Sequence, residues 1–248
     1  MSLKKQISDL NTIRGAMIFE FFSPGIPIIL KNAGCQFIIF DMEHGGLSLE
    51  QFKTLAIISN ANNISPLIRI PEVSYNYVAR ALDLGAAGIM APMVNNQEEA
   101  LKIVRSSKYP PMGVRGAGFG FPHDNYKNEA PLNYIDKANN NLTNIIQIES
   151  KVALENVEKI AAIDGVDCLW VGHFDLTNFL GIPGQFRSDI YLKAINRVVD
   201  AAKLNKKSLG IMVNNRDELK MYSNLGFNMI AVGTEMSILS RSISQILQ

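Results

Sequence analysis

Short apolar runs alternate with amphipathic stretches along the whole chain. Eight of the runs read as strands: GAMIFEF (15–21), FIIFD (37–41), PLIRI (66–70), GIMAP (88–92), NIIQIE (144–149), CLWVG (168–172), SLGIMV (208–213) and MIAVG (229–233). They are rich in β-branched and aromatic residues and too short to stand as independent helices. The segments between them have helical periodicity and caps. Ser48 and Gln51 show capping-box spacing ahead of Phe52, Leu55 and Ile58. Ser74 opens a segment with Val78, Ala81 and Leu82 on one face, stopped at Gly85. Asn95 and Asn96 precede Glu98 and Glu99, acids suited to the positive end of a helix dipole. Ser188 starts a longer helix bearing Leu192, Ile195, Val198, Val199 and Ala202, and Gly226 ends the helix that begins near Arg216.

Eight strands alternating with helices predict an α/β fold closed as a (β/α)₈ TIM barrel, one domain over residues 1–248. A doubly wound open sheet is disfavoured, because no G-x-G-x-x-G sits at the first strand–helix turn. One connection is abnormally long, the stretch YPPMGVRGAGFGFPHDNYKNEAP (109–131). Long loops in compact barrels tend to be functional. This one lacks the strand–loop–helix context of a phosphate site, so it is expected to cover the substrate, with Arg115 paired structurally.

Composition narrows the class. The chain has 248 residues, 47% of them hydrophobic, enough for a large core. A net charge of +1 with no dense basic run gives no footprint for nucleic acid or an anionic membrane. The opening MSLKKQISDL has no apolar signal segment, and no run could span a bilayer, so a soluble cytoplasmic protein is expected. Cys35 and Cys168 lie beside or within apolar runs and read as buried reduced thiols.

In a TIM barrel the chemistry sits at the C-terminal ends of the strands. There the polar residues are Asp41, Glu43 and His44 after strand two, Arg69 in strand three, Gln147 and Glu149 in strand five, and Asp175 beyond strand six. Taken singly, each has a bland explanation. Asp175 could cap a helix, and His44 could be a surface imidazole. Glu43 is read as the weaker half of its pair with Asp41, a structural or supporting residue. Arg69 needs a partner, since an unpaired guanidinium among Ile and Leu is costly. Together they fall on one end of the barrel. Glu149 and Asp175, with no Cys or paired-His spacing nearby, suit a hard cation such as Mg²⁺ or Mn²⁺. Co²⁺ is admissible, and Zn²⁺ is the poorer fit. The alternative is a carboxylate pair sharing a proton or bridged to Arg69; charge economy favours the metal. No candidate strand carries a lysine, and Lys207 lies at the wrong end, so imine chemistry is disfavoured.

These stretches resemble a known family. FDMEHGGLS, LIRIP, ALDLGAAGIMAPMV, SSKYPPMGVRG and IIQIESKVALENVEKIAAIDGVDCLWVGHFDLTNFLGIPG are similar to the HpcH/HpaI aldolases, which act on 4-hydroxy-2-oxoheptanedioate and 2-dehydro-3-deoxyglucarate. The resemblance implies a phosphoenolpyruvate/pyruvate-type barrel, often hexameric, whose C-terminal helix is exchanged between subunits. It implies metal-dependent cleavage of a 4-hydroxy-2-oxo acid to pyruvate and an aldehyde through a stabilised enolate. By motif, Glu149 and Asp175 resemble the metal ligands and Arg69 the oxyanion stabiliser. His44, oriented by Asp41, resembles the acid/base group acting through a metal-held water. Gln147 and the backbone of Gly172, His173 and Phe174 resemble the substrate-binding elements. Many relatives read G-P-A-D where this chain has Gly172-His173-Phe174-Asp175. His173 reads as a supporting or surface imidazole. The partners expected are a small 2-oxo acid, an aldehyde and further copies of the chain. Oxaloacetate decarboxylation, CoA-ester lysis and non-catalytic 2-oxo-acid binding are the alternatives.

Overall fold

The eight apolar runs close into one parallel barrel in chain order, with the last strand pairing to the first. The computed structural model describes residues 2–127 and 130–248. The strands are β1 (Ile13–Ile18), β2 (Phe37–Asp41), β3 (Ser65–Arg69), β4 (Gly88–Ala91), β5 (Thr143–Ile148), β6 (Cys168–Val171), β7 (Ser208–Val213) and β8 (Met229–Thr234). Around them run α1 (Leu3–Ser8), α2 (Ile26–Asn32), α3 (Leu49–Ala61), α4 (Tyr75–Asp83), α5 (Gln97–Ser107) and α6 (Pro131–Asn141). They are followed by α7 (Lys151–Glu155), α8 (Val157–Ala161), α9 (His173–Phe179), α10 (Asp189–Leu204), α11 (Arg216–Leu225) and α12 (Glu235–Leu247). Among the described residues no helix is long and apolar enough to cross a membrane. Cys35 and Cys168 are both buried and free.

Alternation along the strands sorts their residues into two cores. Met17, Phe37, Ile39, Leu67, Met90, Ile145, Trp170 and Ala231 fill the barrel, and Leu3 and Ile7 of α1 pack against the same set. The opposite face, including Ile38, Phe40, Ile68, Ile146, Leu169 and Ile230, meets the helices. This two-sided burial is why the strands read as nearly unbroken apolar runs. Continuing the inward phase past Ile39, Leu67, Ile145 and Trp170 brings Asp41, Arg69, Gln147 and Gly172 to one rim.

The caps largely follow their sequence signatures. Ser48 and Gln51 form a reciprocal capping box at α3. Asn96 accepts the Glu99 N–H at 2.9 Å, and Ser188 caps α10. Gly226 closes α11 in the left-handed conformation. Ser74 occupies the cap position of α4 without a side-chain cap bond. β1 differs most from expectation, ending at Ile18 rather than at Phe21. The amides of residues 19–21 are taken by a carboxylate from α12 instead of a neighbouring strand.

The long connection needs a correction. Its described part does not cover the mouth of the barrel. α5 returns the chain to the N-terminal end of the strands, and the segment that follows packs on the flank of α4. Arg115 Nη2 lies 2.6 Å from Asp83 at the end of α4, and its guanidinium stacks 4.6 Å from the Tyr109 ring centroid. The Tyr75 hydroxyl accepts the Gly116 N–H, and His123 Nδ1 approaches the Asp83 carbonyl. Residues 128–129 of the expected cover lie outside the described residues. Arg115 is thus a structural arginine, as its sequence context suggested. Arg115→Ala is expected to cost about 2 kcal/mol, chiefly through the lost packing of its buried stem, because the partner Asp83 is partly exposed and can be resolvated. Urea denaturation would measure this, and the affinity of the barrel mouth for divalent cations should be unchanged.

Candidate active site

The rim is organised around Arg69. Its Nε lies 2.6 Å from Asp41 Oδ1, across the β2–β3 register that places the two residues side by side. Its Nη1 is 2.9 Å from Glu43 Oε2, and its guanidinium lies 5.4 Å from the Phe19 ring centroid. Burial alone would lower the pKa of Arg69. The hydrogen bond and charge of Asp41, with the charges of Glu43 and Glu149, reverse that and hold the cation above its ordinary value.

Asp41 is fully buried and heavily used as an acceptor. Besides Arg69, it takes the backbone N–H groups of Glu43 at 3.1 Å, His44 at 2.9 Å and Gly45 at 3.2 Å. Asp41 therefore positions His44 through the main chain rather than through its ring. The imidazole is largely exposed, and its Nε2 lies 3.9 Å from Glu43 Oε2. Glu43 stands as a supporting residue of Arg69. β2 ends at Asp41, so the chain bends there and Glu43 turns back onto Arg69.

Glu149 follows β5 and is buried beside Gln147, whose Nε2 donates to its Oε2. Its other oxygen takes the Met93 N–H at 2.6 Å. Met93 is itself held at a φ of +51°, a feature with no signal in the sequence. Burial pushes Glu149 up to about 7, with the like charges of Glu43 and Asp175 adding to the rise and the bonds from Met93 and Gln147 opposing it. Glu43 is raised for the same first reason, against the lowering effect of Arg69. Gly172 must lack a side chain. A Cβ there would sit 2.5 Å from Glu149 Oε2 and 2.8 Å from Gln147 Nε2.

Asp175, in the first turn of α9, is half-buried and acts electrostatically on both Glu43 and Glu149. His173 and Phe174 diverge from it. The His173 ring is buried against Phe174 and Phe186, at 4.6 and 5.1 Å between centroids, and burial lowers its pKa to about 4. It is not a surface imidazole; it belongs to an aromatic cluster that leads on to Tyr191. The Phe174 side chain is exposed.

The donors fit a hard cation. Glu149 and Asp175 offer only oxygen, and the described residues contain no group of three or more His, Cys, Asp or Glu arranged to hold a metal by themselves. Three buried polar atoms of the same rim have no hydrogen-bond partner, Glu43 Oε2, Arg69 Nη2 and Gln147 Oε1, the first being in ion-pair contact with Arg69 Nη1. None of the eight strands carries a lysine.

Fold and rim together define a TIM-barrel enzyme with an arginine-centred, carboxylate-rich site. The chain belongs to the HpcH/HpaI aldolase/citrate lyase family, whose model matches residues 22–242. It is 31% identical to the 5-keto-4-deoxy-D-glucarate aldolase of Shigella boydii serotype 18, over 88% of this chain and 83% of that one. It is 30% identical to the 4-hydroxy-2-oxo-heptane-1,7-dioate aldolase of the same organism, over 86% and 81%. The crystal structure of an HpcH/HpaI aldolase from Desulfitobacterium hafniense superposes with a TM-score of 0.95 at 29% identity, covering all of this chain and 95% of that one. The chain is accordingly a carbon–carbon lyase of the aldolase type.

The raised pKa of Glu149 has a definite sign. The folded metal-free chain holds a proton on Glu149 up to about pH 7, whereas the unfolded chain releases it near 4.5. The stability contributed by this group is complete below the lower value and is lost as pH rises through the higher one. In chelator, the Tm is expected to fall between about pH 5 and pH 8, and Glu149→Gln should flatten that slope. An unchanged slope in the variant would assign the effect to other groups.

Proposed function

We propose that this enzyme cleaves a 4-hydroxy-2-oxo acid to pyruvate and an aldehyde, with Glu149 and Asp175 holding a divalent cation. The observation that carries this reading is the charge excess of the rim. Asp41, Glu43 and Glu149 act on a single guanidinium, Asp175 adds its like charge to Glu43 and Glu149, and burial pushes those two carboxylates toward protonation. A cation relieves that excess, and all-oxygen ligation favours Mg²⁺ or Mn²⁺. When bound, the cation supplies the positive charge that stabilises a pyruvate enolate.

The protein's own groups account for the remaining roles. Asp41 and Glu43 hold Arg69 so that its unpaired Nη2 can donate to the developing enolate oxygen. Gln147 anchors Glu149 through its amide nitrogen and keeps Oε1 for substrate or water. Gly172 leaves room for the Glu149 and Gln147 side chains, and the backbone N–H groups of His173 and Phe174, just after Gly172 at the start of α9, are suited to a carboxylate. Cleavage breaks the C3–C4 bond. The C4 hydroxyl gives up its proton, the electron pair stays on C3, and C4 leaves as the aldehyde. His44 Nε2, exposed at the mouth beside Glu43, is the group proposed to accept that proton and return one to C3.

The methyl protons of pyruvate should exchange with deuterium in the presence of Mg²⁺ or Mn²⁺ and stop exchanging in chelator, as read by proton NMR. Absence of metal-dependent exchange would sink the enolate mechanism. Glu149→Ala and Asp175→Ala should each lose Mn²⁺ affinity by calorimetry while keeping a native circular dichroism spectrum. Retained affinity in both would refute the ligand assignment.

A homo-oligomer in which α12 packs on a neighbouring copy fits two uncovered surfaces. Val232 is 40% exposed on the outward face of β8, where a helix should lie. α12 buries none of its residues, although Met236, Leu239, Ile243 and Ile246 form a helical stripe. Sedimentation equilibrium is expected to find an oligomer that Leu239→Glu with Ile243→Glu reduces in size. A monomeric parent chain at micromolar concentration would contradict this.

A further inference from the structure

Glu235 is the first residue of α12, at the point where β8 ends. Its Oε1 accepts three consecutive backbone N–H groups from the segment after β1: Phe19 at 2.9 Å, Glu20 at 2.6 Å and Phe21 at 3.0 Å. Its Oε2 is buried and without a partner. An acid in the first turn of a helix is a common stabilising device, and on that ground alone Glu235 would affect only the end of α12.

The segment it grips lies against the site at two points. The Phe19 ring stacks on the Arg69 guanidinium. The Phe19 carbonyl fills the space beside Gly45, where a Cβ would overlap both that oxygen and the Asp41 carbonyl. Gly45 closes the turn that carries His44, and its N–H is held by Asp41. One short segment thus backs both the cation proposed to face the enolate and the turn bearing the proposed acid/base. Its amides have no strand partner in β2 or β8, because β1 pairing stops before them. Glu235 takes over that role from a distance of more than 200 residues in sequence.

We propose that Glu235 is a positioning residue, fixing residues 19–21 as the common backing of Arg69 and the Asp41–Gly45 turn. Its kinetic consequence rests on the aldolase reading, whereas its structural consequence does not. Removing the carboxylate frees three amides, lets the Phe19 ring leave the guanidinium and loosens the turn beside Gly45.

The test compares Glu235→Ala, Glu235→Gln and Phe19→Leu in the full chain, using amide hydrogen exchange resolved to short segments. Loss of protection at residues 19–21 in Glu235→Ala follows from any role. The diagnostic amides are those of Glu43, His44 and Gly45, which bond to Asp41 and not to Glu235. Their protection is expected to fall roughly tenfold in Glu235→Ala and in Phe19→Leu, and to recover in Glu235→Gln, which keeps an acceptor oxygen. Metal-dependent deuterium exchange into pyruvate should slow by about tenfold in kcat in Glu235→Ala. The double variant with Phe19→Leu should be no slower than Phe19→Leu alone, since both act along one path. Unchanged protection at residues 43–45 alongside lost protection at 19–21 would reduce Glu235 to a helix anchor and overturn the proposal. If the parent chain fails to exchange pyruvate protons, the aldolase reading falls, and the protection at 43–45 still decides the positioning role. If Glu235→Ala does not fold, Phe19→Leu and Glu235→Gln decide it by the same amides.

Discussion

The buried pair between Asp41 and Arg69 is the constraint on which the rim depends. Neither charge could lie at this depth alone, and the β2–β3 register makes them neighbours. Asp41 is bound on both oxygens, so it serves as a fixed post. It pins the guanidinium on one side and three amides of the following turn on the other. The position of His44 is therefore set by the same carboxylate that sets Arg69. Loss of Asp41 would free both at once, which distinguishes it from a group that only tunes the electrostatics.

With Arg69 already matched by Asp41, every further carboxylate adds to an unbalanced charge. Glu43 turns in on the same guanidinium, and Glu149 and Asp175 arrive from β5 and α9. The protein offsets part of the excess locally, through the Met93 amide and the Gln147 side chain on Glu149. Burial first, and the neighbouring like charges second, still leave Glu43 and Glu149 shifted upward. A site tuned only for stability would not gather four carboxylates at a rim with one guanidinium. Of the two groups shifted upward, Glu149 is the one a divalent cation would meet directly.

The sequence made the rim legible because alternation carries cleanly through the strands. Asp41, Arg69, Gln147 and Glu149 continue the inward phase of Ile39, Leu67 and Ile145, so their meeting could be read from spacing alone. Glu43, two residues beyond Asp41, meets the same guanidinium, although β2 has ended and only the bend after it fixes that contact. Of the two readings of His173, supporting or surface imidazole, burial leaves the supporting one, a choice the local sequence could not make. Phe186, from the following connection, buries the ring. The long 109–131 stretch looked like a lid on length alone, but the direction of α5 sends it to the foot. Glu235 could not have been found, because its partners lie at the other end of the chain and are backbone amides with no residue signature.

Two buried arginines show how one motif serves opposite ends. Arg69 and Arg115 are each buried, stacked on an aromatic ring and bonded to an aspartate at 2.6 Å. At the foot, Arg115 meets Asp83, whose side chain still reaches solvent, so the pair closes locally and fastens a connection. At the rim, the partner Asp41 is sealed, and further carboxylates crowd the same cation. The local geometry is alike; the surrounding charge differs. Each keeps one guanidinium nitrogen without a partner, Arg115 Nε and Arg69 Nη2, but only that of Arg69 lies inside a field of excess negative charge. That difference, rather than burial or pairing, separates the arginine that holds the fold together from the one placed to do chemistry.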